Sequence, residues 1–200
     1  MVTTNAKAGV LVLPGGRPRS DAPSRAWQLA NLRIALLSRS LRRRLGPGVD
    51  VHRMQYRVRG WNPGRLDALV DARTALEAMV ERVGCGPIIV VGHSMGGRVA
   101  AHLAAEGRVA GVVALAPWWP QNDGDLVPVD CRLLTMHGTA DTWTDPRDAR
   151  IQTLRAETRG VDARWVEFPG GGHFLLRDYS RWHRLTAEFA ITVLSEHSQA

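Results

Sequence analysis

Ser94 stands in Gly92-His93-Ser94-Met95-Gly96-Gly97, a stretch that fits the pattern G-x-S-x-G. A β-branched apolar run, Ile88 to Val91, precedes it, and a helical sequence, Val99 to Ala105, follows. A serine held on a tight turn between a buried strand and a helix is a nucleophile elbow: the hydroxyl projects beyond the strand, and the helix N-terminus favours a developing negative charge. Gly92 and Gly96 suit places where strand and helix come too close for side chains. A serine hydroxyl is a weak nucleophile at neutral pH and requires a base, which in turn requires an orienting acid. Asp141 lies 47 residues after Ser94, and His173 lies 32 residues after Asp141. Both follow apolar runs that read as strands, so all three residues sit on loops that leave strand ends.

The elements that must position these loops can be read from periodicity and punctuation. Strands are expected at Gly9–Leu13, Val49–Arg57, Ile88–Val91, Val109–Leu115, Cys131–Met136 and Ala163–Phe168. Helices are expected from about Pro23 to Leu45, with Trp27, Ala30, Ile34, Leu37 and Leu41 on one face, and from an Asn62-Pro63 cap to about Val83. The second is expected to turn Leu66, Leu69, Val70, Leu76, Met79, Val80 and Val83 inward. Further helices follow the elbow, open at Asp145-Pro146, and run from about Tyr179 to Leu194. Six strands alternating with helices predict an α/β class: a mostly parallel six-stranded sheet with helices on both faces, joined by right-handed crossovers, in a single domain spanning residues 1–200. Ligands of such sheets bind beyond the carboxyl ends of the strands, where the candidate loops lie.

Taken together, Gly92-His93-Ser94-Met95-Gly96-Gly97, His137-Gly138-Thr139-Ala140-Asp141 and Gly171-Gly172-His173-Phe174 resemble the α/β-hydrolase family over nearly the whole chain. The order Ser, Asp, His is the chain order of that family. The resemblance is to compact, capless serine hydrolases of the dienelactone-hydrolase-like kind. It implies Ser94 as nucleophile, Asp141 as orienting acid and His173 as general base, with no cofactor and no metal. Two features depart from the family pattern. The first strand corresponds to the family's third, and the loop after it reads Pro14-Gly15-Gly16 where many members have His-Gly.

The oxyanion hole of such a site takes one backbone N–H from the residue after the nucleophile, Met95, and one from the loop after the first strand. Pro14 has no N–H and cannot serve; the resemblance to the family's pattern implies Gly16 first, with Arg17 next. The Arg17 side chain is placed to meet an anionic substrate group or else solvent. Trp61, Trp118, Trp119 and Trp143 all fall after strand ends and are candidates to wall an apolar pocket, with Trp118 or Trp119 near Ser94. Asp145 competes with Asp141 as the acid, but its place before Pro146 makes it the better helix cap. His93, His137, His52, His102, His183 and His197 are assigned structural or surface roles. The connection over residues 116–130 has room for one short helix, too little for a lid, so an open site and short acyl esters are expected.

The net charge of +7 is uneven. Residues 1–83 carry 15 basic and 6 acidic side chains, whereas residues 84–200 carry 11 and 13. The densest cluster, Arg42-Arg43-Arg44, reads as the solvated end of a helix; no nucleic-acid motif or interleaved aromatic accompanies it, so no nucleic-acid partner is expected. Cys85 and Cys131 precede apolar runs and read as buried thiols of a cytoplasmic protein. No apolar run approaches the roughly 20 residues of a membrane span, so no membrane partner is expected. The expected activity is hydrolysis of a small-molecule ester or thioester. The alternatives are acyl transfer or cofactor-free perhydrolysis on the same three residues, or a non-catalytic binding protein that uses the arginine-rich half. Sequence alone leaves the oligomeric state open.

Overall fold

In a computed structural model, which describes residues 6–197, six strands form one sheet. In chain order the elements are β1 (Ala8–Leu13), α1 (Leu29–Leu45), β2 (Val49–Arg53), α2 (Asp67–Val83), β3 (Ile88–His93), α3 (Met95–Ala104), β4 (Gly111–Leu115), a 3₁₀ turn (Asp123–Leu126), β5 (Arg132–Gly138), α4 (Pro146–Thr158), β6 (Ala163–Phe168) and α5 (Tyr179–His197). The strand order is β2-β1-β3-β4-β5-β6, and every pairing is parallel. Parallel strands require crossovers, and the helices that make them cover both faces. That is why the central strands read as continuous apolar runs. Leu11, Leu13, Val90, Val112 and Leu133 face the core under α2, α3 and α4. Val10, Val12, Val91, Val113 and Met136 face the core under α1 and α5.

Chain order reverses between β1 and β3, so the loops after these two strands diverge at a crevice. The β4–β5 connection holds only the 3₁₀ turn, and no separate cap layer is present among the described residues.

Several expected boundaries are corrected. Helix α1 begins at Leu29 rather than Pro23, because residues 23 and 24 form an extended strap: Pro23 bridges Val58, and Ser24 N–H donates to Arg57 O at 3.0 Å. Trp27 therefore lies outside the helix and is exposed. Strand β2 ends at Arg53, short of Arg57, whose N–H donates instead to Asp71 Oδ2. Asn62 does not cap α2. Its backbone is left-handed (φ 53°), and its amide joins both Ser20 backbone groups and Asp67 Oδ2, so α2 starts five residues later. Val70 is exposed on α2 rather than inward, and Cys85 is exposed rather than buried.

Candidate active site

Strand β3 delivers Ser94 to the crevice in a backbone conformation that L-residues rarely adopt, φ 55° and ψ −116°. Hydrogen bonds hold it there. Ser94 N–H donates to Leu115 O at 2.9 Å, and Ser94 O accepts from Gly97 N–H at 2.9 Å and Trp118 N–H at 3.1 Å. The turn needs glycine at both flanks: a Cβ on Gly92 would strike the Gly96 carbonyl, and one on Gly96 would lie 2.7 Å from Leu13 O and Pro14 O.

The loops after β5 and β6 meet beside this turn. His173 Nδ1 lies 2.8 Å from Asp141 Oδ2, and both side chains are buried. Asp141 is held from five directions. Oδ1 accepts from the N–H groups of Trp143 (2.8 Å) and Thr144 (3.0 Å), while Oδ2 also accepts from Thr144 Oγ1 (2.9 Å) and His137 Nε2 (3.0 Å). Burial raises the pKa of this carboxyl, but the bonds from His137, His173, Thr144 and Trp143 outweigh burial and hold it well below the usual carboxylate range. Asp141 thus stays ionised and acceptor-only, and His173 must carry its proton on Nδ1, which leaves Nε2 as the basic nitrogen.

His93 fixes the other side of the same residue. Its Nε2 lies 2.9 Å from the His173 carbonyl, which can only accept, so Nε2 carries a proton. Burial, then the neighbouring His173, then the positive charge of Arg33 push the His93 pKa down to about 3, so the ring is neutral. The two imidazoles stand 4.9 Å apart. Among the described residues Ser94 Oγ has no hydrogen-bonding partner, so the acid–histidine half is joined while the hydroxyl remains free to receive a proton acceptor.

At the helix end of the turn, Met95 opens α3, so its N–H has no acceptor within the helix. Gly16 packs so tightly on Met95 that a Cβ would overlap the thioether, and its N–H has no protein partner among the described residues. Arg17 differs: its N–H donates to Arg59 O at 2.8 Å, so it is not a free donor, and its side chain is exposed.

The tryptophans divide into different roles. Trp143, 71% exposed, lies over the His173 imidazole, with centroids 5.6 Å apart and 8° between the planes. Trp118 and Trp119, with Pro117, Pro120, Trp143 and Thr144, line a cleft of about 250 Å³. Trp119 is buried and donates Nε1–H to Gly97 O at 3.1 Å, which ties the β4–β5 connection to the elbow helix. Trp61 is buried away from this cleft, against Arg98 and His102. Arg98 is itself buried and bonded to Asp123 Oδ1 at 2.7 Å, which anchors the same connection from below. Asp145 caps α4, accepting from Arg147 N–H at 2.8 Å and Asp148 N–H at 3.4 Å.

Sequence reasoning gave no role at the site to His137, Thr144 or Phe174. His137 lies near the end of β5, four residues before Asp141 on the turn that follows, and that spacing was the available signal. Phe174 packs its ring 5.3 Å from that of its chain neighbour His173 and 5.3 Å from that of Trp143, and the second contact is set by tertiary structure that no spacing signals.

Comparison with known proteins bears on the family and the fold. The model of the alpha/beta hydrolase family matches residues 10–129, more than half of the chain. Lipase LipV of Mycobacterium tuberculosis is 38% identical over 108 residues, which is 52% of this chain but only 39% of that protein. Among solved structures, a protein of unknown function from Agrobacterium tumefaciens, a putative alpha/beta hydrolase, superposes with a TM-score of 0.75 at 18% identity, covering 96% of this chain and 87% of that one. A lidless serine hydrolase of the same fold from Xanthomonas campestris gives 0.67 at 22% identity, covering 89% and 78%. Est1E of Butyrivibrio proteoclasticus, solved with ferulic acid bound, gives 0.73 at 13% identity, covering 96% and 91%. On the family match and the fold together, the chain belongs to the alpha/beta hydrolase family.

Proposed function

We propose that this protein is a serine hydrolase that cleaves small carboxylic esters or thioesters through an acyl-enzyme on Ser94. The observation that carries the reading is the buried Asp141–His173 pair at 2.8 Å, on the same sheet end as a serine held at φ 55°. A carboxylate kept ionised by five donors serves one purpose well, which is to hold an imidazole in one tautomer and stabilise it when it becomes positive.

In this mechanism Ser94 Oγ attacks the acyl carbonyl while His173 Nε2 takes its proton. Asp141 accepts from Nδ1–H and stabilises the imidazolium. The oxyanion forms against the N–H groups of Met95 and Gly16, where the first turn of α3 adds its dipole. Collapse expels the alcohol or thiol, which takes the proton back from His173. Water then repeats the sequence on the acyl-enzyme. The cleft at Trp118, Trp119 and Trp143 receives part of the substrate, and the exposed Arg17 side chain is the candidate to meet an anionic group on it. Two free thiols, Cys85 and Cys131, suit a reducing compartment, and we assign the cytoplasm.

A fluorophosphonate probe tests this directly. Wild type should be labelled and Ser94→Ala should not; an unlabelled wild type would overturn the reading and favour a binding role. Equal labelling of the two proteins would place the nucleophile elsewhere.

A further inference from the structure

On the face of the sheet opposite α3, where α1 and α5 pack together, α1 turns an apolar side outward. Leu32 and Leu36 on this side are exposed, and Leu176 and Tyr179 stand opposite them, exposed as well. Between the two walls runs a groove of about 290 Å³, at the lower end of the roughly 300–1,000 Å³ typical of small-molecule sites. Large apolar side chains left in water along a continuous groove ordinarily mark a place that something covers.

Two polar side chains on the groove lack partners. Arg33 is only 9% exposed, yet its Nε and Nη1 are buried with nothing to donate to, and it forms no ion pair among the described residues. Its guanidinium stacks 4.3 Å from the Phe174 ring. His183 is 6% exposed, and its Nε2 is likewise buried without a partner. Unsatisfied buried polar atoms of this kind are costly and uncommon in native proteins. Burial lowers the Arg33 pKa to about 10, so the group is still cationic at neutral pH. Burial, and then Arg44 and Arg43, lower His183 to about 4. The same arginines therefore make this face positive while His183 itself stays neutral.

An apolar groove with a cationic, unpartnered donor at its floor is complementary to an amphiphile with an anionic head. We infer that the groove binds an aliphatic monocarboxylate: the carboxylate takes the free donors of Arg33, with His183 Nε2–H as a further donor, and the tail lies along Leu32, Leu36 and Leu176. Charge-assisted bonds to a planar guanidinium fix the head, and each buried CH₂ of the tail adds about 0.8 kcal/mol. The inference does not depend on the hydrolase reading, since Arg33 and the groove leucines take no part in the proposed acyl chemistry. The site borders that chemistry all the same, because Phe174 lies between Arg33 and His173.

Calorimetric titration with octanoate tests the site on the full chain. Octanoate should bind, while acetate, which lacks the tail, and octanol, which lacks the charge, should each bind at least about tenfold more weakly. Arg33→Met keeps the length and loses the charge. It should bind octanoate at least about tenfold more weakly while its Tm stays level or rises, because an unpaired buried cation has been removed. A purely structural Arg33 would instead give a lower Tm and unchanged binding. Leu36→Glu, at an exposed position that should not disturb folding, should also abolish binding and decides the matter if Arg33→Met fails to fold. The inference is overturned if octanoate does not bind, if octanol binds equally well, or if either variant retains wild-type affinity. Binding to vesicles of anionic phospholipid with none to monomeric octanoate would overturn it in favour of a membrane-docking face.

Discussion

The Trp143 indole lies nearly parallel to the His173 imidazole, covering its outer face, while the rest of the histidine is buried. The indole is largely in solvent, so its burial contributes little to folding. What it supplies is restraint on one ring and a roof that excludes water from one face of it. Trp143→Ala should lower kcat/KM about three- to tenfold, the worth of an aromatic pair at 0.5–1.5 kcal/mol, with little change in Tm. Trp143→Phe should retain most of the activity. Steady-state kinetics with a p-nitrophenyl ester, alongside thermal melts, checks both. A Tm loss that matched the activity loss would make the stacking a folding contact instead.

The acid can be identified by an amide series. Asp141→Asn removes the ionised acceptor of His173 Nδ1–H and should cost roughly 10⁴ in kcat, as expected for an imidazole in the wrong tautomer. Ser94→Ala and His173→Ala should be at least as severe, and combining them should add almost nothing, because the three act as a unit. Asp145→Asn loses only charge at a helix cap, so it should leave kcat intact and lower stability by no more than about 1 kcal/mol. Full activity in Asp141→Asn with loss in Asp145→Asn would reverse the assignment.

Much of the framework was legible because burial leaves a periodic trace. Ile88 to Val91 reads as a doubly buried strand, and the glycines around Ser94 read as a turn too crowded for side chains. Both readings follow from backbone geometry alone. The chain order of Ser94, Asp141 and His173 was legible for the same reason: each follows a strand. Illegible were the features decided by side-chain direction in loops. Nothing in the spacing of Trp143 distinguishes a pocket wall from a ring stacked on His173. Asn62 before Pro63 has the composition of a helix cap, yet its amide is drawn off by Ser20, 42 residues away in the sequence. His137 looked structural because the four-residue spacing to Asp141 alone does not show that its ring turns onto that carboxylate. The strap at Pro23 and Ser24 reads as helix until its pairing with Arg57 and Val58 is seen.

His93 gives stability a pH dependence whose sign can be worked out. In the fold its pKa is pushed down to about 3, against 6.5 for an unperturbed histidine. Above about pH 6.5 the ring is neutral in both states, and no penalty arises. As the pH falls toward 3, the unfolded chain binds a proton that the folded one refuses. Stability therefore declines with falling pH by about 1.4 kcal/mol per unit from this residue. His93→Gln keeps a donor for the His173 carbonyl and removes the titration. Urea unfolding at pH 7, 6, 5 and 4 should show a shallower decline in the variant, by about one proton between pH 6 and pH 4. Parallel declines for the two proteins would mean that His93 accepts its proton within the fold.

Substrate size follows from the β4–β5 connection. Residues 116–130 hold only one 3₁₀ turn, and Trp119, Arg98 and Asp123 pin this connection down onto α3. A segment so tied does not lift to enclose a chain. The cleft beside His173 is about 250 Å³ and is walled by tryptophans and prolines, so a short acyl or alcohol group should fit it and a longer one should stay in water. Each CH₂ that stays in water forgoes about 0.8 kcal/mol, or roughly a fourfold gain in kcat/KM that a fitted tunnel would have supplied. In a p-nitrophenyl ester series from acetate to palmitate, kcat/KM should peak by about six carbons and fall beyond, and the fall should appear in kcat/KM before it appears in kcat. The carboxylate groove beside α1 gives this series a second use. If octanoate occupies that groove, adding it should leave the acyl-length optimum in place, because the two sites take different ligands. A maximum at decanoate or longer, abolished by Leu36→Glu, would instead mean that the acyl chain of the substrate itself reaches the groove, and the open, short-chain site proposed here would be wrong.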